Sequence, residues 1–190
     1  MAMVTMNDVT PFVESTDLLE QPKALQERAR KDGYLFFRNR IDTTPILHLR
    51  YKALELCNKY GWLDESAPLM EAISRPGIPL FKNDNPDWKA FYFEIQKTRE
   101  FHGLALHSSI IQIFEILFGE RVLPHPRNIF RLIAPNAERY STPPHQDNLY
   151  IGGSDDTWTA WFPLGDCPDE LGGLACAPGT HQVGKLETHP

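Results

Sequence analysis

Cysteine is scarce in this chain: Cys57, Cys167 and Cys176 are the whole set, an odd number with no CxxC pair among them. That excludes a disulfide framework and leaves free thiols suited to a reducing compartment, so a cytoplasmic location is expected. Positive charge is also short, with 19 Lys and Arg against 25 Asp and Glu and a formal net charge of −6. Without a basic stripe to meet phosphates, a general nucleic-acid-binding surface is excluded. No apolar run approaches the roughly 20 residues that a membrane-spanning helix needs. The opening "MAMVTMNDVTPF" lacks the basic-then-apolar order of a signal peptide. Repeats, low-complexity tracts and Gly/Ser-rich linkers are absent too. What remains is one domain of 190 residues, long enough to bury a core, whose expected partner is a small molecule and neither nucleic acid nor membrane. The pattern sets no oligomeric state.

Residues 1–120 read as mostly helical. "PKALQERARK" (22–31) opens on a proline suited to a first helical turn and stops before Gly33. "GYLFFRNRI" (33–41) reads as a buried strand. A helix is predicted from Thr44 to about Tyr60, with Leu47, Tyr51, Leu54 and Cys57 on one face and Gly61 past its end. Residues 64–87, rich in Pro, Asn and Asp, are predicted as a loop with at most one helical turn. Within it, "PGIPLFKNDNP" (76–86) is either an active-site lid or a plain connector. Two more helices are predicted at about 86–101 and 108–118, the second capped by Ser108 or Ser109 and stopped by Gly119. Trp88, Phe91, Tyr92 and Ile95 recur at helical spacing, as core packing or as a substrate-pocket wall.

Beyond Gly119 the texture changes. "NIFRLIA", "NLYI", "TWTAWFPL" and "GLACA" are short β-branched and aromatic segments between Pro, Gly and Asp turns. A helical layer followed by an antiparallel sheet or barrel is expected, with 121–190 in the β part. There, in "PPHQDNLYIGG" (143–153), His145 and Asp147 stand two apart. On an extended strand, residues i and i+2 point to one side. Imidazole and carboxylate together suit a borderline divalent metal, and one more histidine would complete the 2-His-1-carboxylate triad of non-haem Fe(II) oxygenases. The competing reading of the same residues is a surface loop in which Asp147 caps a turn and His145 is merely solvated.

The surrounding motifs bear on that choice. H-x-D is followed by the W-x-A-x-x-x-L strand of "DTWTAWFPLGDC" (156–167) and by "DELGGLACAPGTHQVG" (169–184), with its acidic turn into G-x-L and then P-G-T-H-x-x-G. Together with "RARKDGYLFFRNRI" near the start, this order resembles the phytanoyl-CoA dioxygenase family over about residues 24–184. The resemblance implies an Fe(II)- and 2-oxoglutarate-dependent oxygenase that uses O₂ and is built on a double-stranded β-helix, or jelly roll. It implies His145 and Asp147 as iron ligands; an aspartate at 147 is similar to the hydroxylating members, since halogenating relatives lose that carboxylate. Thr159 and Trp161 match positions lining the 2-oxoglutarate pocket, and Asn128 and Arg131 match positions that face cosubstrate or substrate.

His181, in "PGTH", matches a turn histidine that does not bind metal in the family. The family's distal histidine, and an arginine that pairs with the 2-oxoglutarate carboxylate, lie on later strands, and no position before Pro190 matches them. The jelly roll is therefore expected to lack its C-terminal strands here, which leaves His181 or His189 as the available substitutes for a third ligand. Two other functions stand beside the hydroxylase: a truncated, non-catalytic relative that binds a small molecule or partner protein, and a cupin-like metalloenzyme, whose ligand spacings differ. His48, His102 and His107 read as helix-face or boundary residues and His125 as a turn residue.

Overall fold

A computed structural model describes residues 9–78, 85–135, 142–154 and 156–186. Six helices are found among them: α1 Pro22–Asp32, α2 Thr43–Lys59, α3 Pro86–Ile95, α4 Arg99–Ala105, α5 Ser108–Phe118 and the single turn α6 Asn148–Ile151.

Each long helix begins and ends where local chemistry provides for it. Pro22 occupies the first turn of α1, and Gly33 ends it in the left-handed conformation at φ +75°. Asp42 caps α2 by accepting from the Thr44 amide, a bond that lowers the Asp42 carboxyl below its usual range. Asn85 caps α3 by accepting from the amides of Asp87 and Trp88. The cap of α5 differs from expectation: it is His107, whose Nδ1 accepts from the Ser109 amide, so the two serines lie inside the helix.

The predicted 86–101 helix is two helices. The Thr98 hydroxyl donates to the Ile95 carbonyl at 2.7 Å and Thr98 itself is extended, which starts α4 in a new direction. Arg99–Phe118 is long and apolar enough by composition to cross a membrane, which no run was expected to be. It is interrupted at Leu106–His107, and Phe101, Leu104, Ile110 and Leu117 are buried within the fold.

The core is built on α2, α3 and α4. Leu49, Ala53, Leu54 and Cys57 of α2 meet Phe91 and Ile95 of α3, Phe101 and Leu104 of α4, and Trp62 and Leu63 beyond α2. Leu47 and Tyr51 lie outside this seam, 46% and 41% exposed, because α2 packs through 49, 53 and 57, one step round from the predicted stripe. Trp88 and Tyr92 pack against the cluster, which supports the core reading of that row. Tyr60 donates to Glu94 at 2.6 Å and Lys59 reaches the same carboxylate at 2.7 Å, tying α2 to α3. α1 packs on α5, with Gln26 donating to the Leu117 carbonyl.

No β-strand occurs among the described residues, and pairing is limited to two isolated bridges, Glu14 with Phe36 and Leu63 with Ser74. Residues 33–41, read as a buried strand, are thus held mainly through Phe36, whose carbonyl accepts from Ser15, and through Phe12 packed on Tyr34 and Phe36. "NLYI", expected to be a strand, is α6. Of the other three, "GLACA" (173–177) is exposed throughout and forms no strand, and the remaining two carry the burial pattern of a strand without a ladder partner among the described residues. Phe130 and Ala134 are buried while Ile129, Arg131 and Ile133 are exposed. Phe162 and Leu164 pack against the core while Thr159, Trp161 and Pro163 face out. Phe130 anchors the first segment, its ring 5.9 Å from Phe91 and 6.0 Å from Phe101. Residues 64–78 form the expected loop, with one 3₁₀ turn at Leu69–Glu71. Residues 79–84 of the lid-or-connector segment lie outside the described residues.

Candidate metal centre

The segment fixed by Phe130 also holds the loop that carries His145 and Asp147. Arg131 donates from Nη1 to the Thr142 hydroxyl at 2.8 Å, three residues before His145. Arg127 donates to the Tyr150 carbonyl at 2.6 Å, three residues after Asp147. Two arginines from one extended stretch thus grip the loop on both sides of H-x-D. Asn128 turns the other way, toward α4. Its amide meets His102 Nδ1 at 3.2 Å, and His102 Nε2 donates to the Gln96 carbonyl at 2.7 Å.

His145 and Asp147 do converge, though not by strand alternation. Asp147 has helical dihedrals (φ −61°, ψ −29°) where α6 begins, and its carbonyl accepts from Tyr150 and Ile151. Asp147 is the N-cap residue of that turn, but its carboxylate makes no capping hydrogen bond. One oxygen, Oδ2, accepts from the Thr159 hydroxyl at 2.6 Å, and the other, Oδ1, lies 3.2 Å from His145 Nε2. The imidazole is pinned from behind: Nδ1 lies 2.8 Å from the Pro143 carbonyl, and the Tyr150 ring meets it edge-on at 5.5 Å. The His145 and Asp147 side chains are 26% and 44% exposed, so the centre opens to solvent.

The chemistry of the pair follows from these bonds. A carbonyl only accepts, so Nδ1 carries a proton and donates it. In the neutral imidazole this turns the Nε2 lone pair toward a carboxylate oxygen, which also offers only lone pairs. Two such acceptors face each other favourably when a cation, a proton or a metal ion, lies between them. A histidine that presents one nitrogen while donating the other to a backbone carbonyl has the arrangement of a metal ligand with its outer support. The donor set therefore fits a divalent metal at two positions. Among the described residues no group of three His, Cys, Asp or Glu side chains is placed to hold an ion.

His181 lies at the far end of α1. Its Nε2 donates to the Arg30 carbonyl at 3.0 Å, Gln182 to that of Lys31 and the Gly179 amide to that of Asp32. The P-G-T-H turn thus satisfies carbonyls left open at the end of that helix, in line with the expectation of a turn histidine. A Cβ at Gly33 would collide with the His181 ring, so the glycine gives the turn its seat. His125 accepts from the Arg127 amide in a turn, as expected. His189 lies outside the described residues. Trp161 is on the outer side of its segment with Thr159, 45% exposed. Sequence reasoning missed Arg127 and Tyr150; the period of two that runs back from Arg131 to Ile129 and Arg127 was the available signal.

Comparison with known proteins settles the family. The family described as Phytanoyl-CoA dioxygenase (PhyH) matches residues 29–189. The chain belongs to the phytanoyl-CoA dioxygenase family. It is similar to the 1-deoxypentalenic acid 11-beta-hydroxylase of Streptomyces exfoliatus, 27% identical across 94% of this chain and 61% of the relative. It is likewise similar to the protein of the same name from Streptomyces arenae, 28% identical across 93% of this chain and 60% of the relative. The chain thus spans about three fifths of the length of these curated family members. No solved structure matches it.

Proposed function

We propose that the protein is an Fe(II)- and 2-oxoglutarate-dependent oxygenase that hydroxylates a small organic molecule, on a jelly-roll core of which 121–190 is the first part. The observation that carries this reading is the convergence of His145 Nε2 and Asp147 Oδ1, each supported from behind, within a chain of the phytanoyl-CoA dioxygenase family. Two relatives named as hydroxylases support the reaction type.

His145 and Asp147 would hold the iron, which when bound activates O₂ with electrons drawn from 2-oxoglutarate as that cosubstrate is decarboxylated to succinate. The chain's own residues set the stage for that chemistry. Pro143 fixes the imidazole tautomer, and Arg127 and Arg131 fix the loop. Thr159 and Trp161 face out from the adjacent segment, where the family's cosubstrate pocket would lie; Asn128 and Arg131 are carried as cosubstrate- or substrate-facing positions on the same resemblance.

Oxygen uptake by the full-length polypeptide tests this. Uptake requiring both Fe(II) and 2-oxoglutarate, and lost in His145→Ala and Asp147→Ala, is expected. Metal binding without such uptake would favour the non-catalytic alternative.

A further inference from the structure

We propose that Thr159 is a positioning residue for the metal centre, its hydroxyl fixing which oxygen of Asp147 is turned toward His145. The inference rests on the reading of His145 and Asp147 as metal ligands. A carboxylate free to rotate about its last bond offers a cation either oxygen, or both. Here the 2.6 Å bond from Thr159 occupies Oδ2 and leaves Oδ1 beside His145 Nε2. The contact joins residues twelve apart, from the segment after the loop back to the loop, so turn geometry does not create it.

Three features suit Thr159 to the task. Its hydroxyl has one proton to give, and a charged acceptor takes it in a short, strong bond. Branching at Cβ restricts its rotamers, so the hydroxyl is held in place. The outward side of the 158–164 segment is set by Phe162 and Leu164, which pack against the core, so the position of Thr159 is fixed from behind. His145 is treated alike, with Nδ1 bound to Pro143 and Nε2 presented. Both side chains have the outer atom anchored and the inner atom turned to the other, 3.2 Å apart, which is the division of labour that tunes affinity at metal sites. The proposal gives Thr159 a role toward Asp147, separate from any contact with cosubstrate.

Cobalt(II) serves as a visible probe that needs no turnover. The full-length protein would be titrated anaerobically with Co(II) and binding read from the ligand-field absorption. Thr159→Val removes the hydroxyl at constant shape and should weaken binding by about 10- to 100-fold, while Thr159→Ser should stay within about threefold of the parent. Thr159→Ala should share the loss, which guards against misfit of the valine methyl. Binding by Thr159→Val and Thr159→Ala within about twofold of the parent, with binding lost in Asp147→Ala, would overturn the proposal alone. A serine variant as weak as the valine one would overturn it too. If Asp147→Ala bound as tightly as the parent, the ligand reading itself would fall and the proposal with it.

Discussion

Phe130→Ala should be among the most damaging single substitutions outside the helices. Its side chain joins the segment that grips the metal loop to the helical core, and it is only 7% exposed. Truncating a buried Phe to Ala costs about 3–5 kcal/mol. The two edge-on ring contacts, to Phe91 and Phe101, argue for the middle of that range, about 4 kcal/mol. With a urea slope of about 2 kcal/mol/M, the unfolding midpoint should fall by about 2 M. Ile133→Ala, on the opposite side of the same segment and 69% exposed, should stay within about 0.5 kcal/mol. Urea unfolding of the 190-residue chain, followed by tryptophan fluorescence, measures both. A cost below about 1 kcal/mol for Phe130→Ala would refute the anchoring argument. So would equal losses for the two variants, because the alternation of burial would then have no energetic meaning.

Three further outcomes are expected. Gly33→Ala should destabilise by more than about 1 kcal/mol, since it forces a side chain into the left-handed region and into the His181 ring; a melting curve like that of the parent would contradict this. The Cys57 thiol, pushed up to about 12 by burial, should resist a thiol reagent at pH 8 in the folded protein and react on unfolding, whereas exposed Cys167 should react at once. Glu94 has its carboxyl lowered by hydrogen bonds from Lys59 and Tyr60. Its contribution is therefore present above the ordinary glutamate range and is lost as pH falls through the lowered folded value. The stability gap between the parent and Glu94→Gln should accordingly shrink on acidification, and a gap that widened would show the sign to be wrong.

The helical half was legible because its signals are local. Pro22 at the first position of α1, Asn85 and Pro86 at the cap and first position of α3, and Gly33 and Gly119 just after α1 and α5 mark ends within a turn or so of where they fall. The misplacements have physical causes. Leu47 and Tyr51 are spaced for a helical face, but α2 chose the seam through Ala53 because Phe91 and Phe101 pack there. The 86–101 helix broke because one hydroxyl, on Thr98, competes for a backbone carbonyl. "NLYI" has a strand's composition, yet it follows Asp147 in helical dihedrals and winds into a single turn.

The site was legible in part. The H-x-D spacing and the ordered motifs after it singled out two residues that the structure brings within 3.2 Å of each other, and P-G-T-H forms a turn, as expected. What sequence could not supply is tertiary: that Thr159 answers Asp147, and that Arg127 and Arg131 close on the loop from a segment that forms no ladder among the described residues. A period of two reveals that residues share a side, not what they meet there. The jelly-roll expectation rests on the family resemblance and belongs to the proposal, since no β-strand occurs among the described residues.

The most direct measurement is an anaerobic titration of the full-length polypeptide with Fe(II) and 2-oxoglutarate, following the visible charge-transfer absorption of their chelate. The proposed centre predicts a saturable band in the parent that is lost in His145→Ala and in Asp147→Ala. A band that survives either substitution, or no band in the parent, would contradict it.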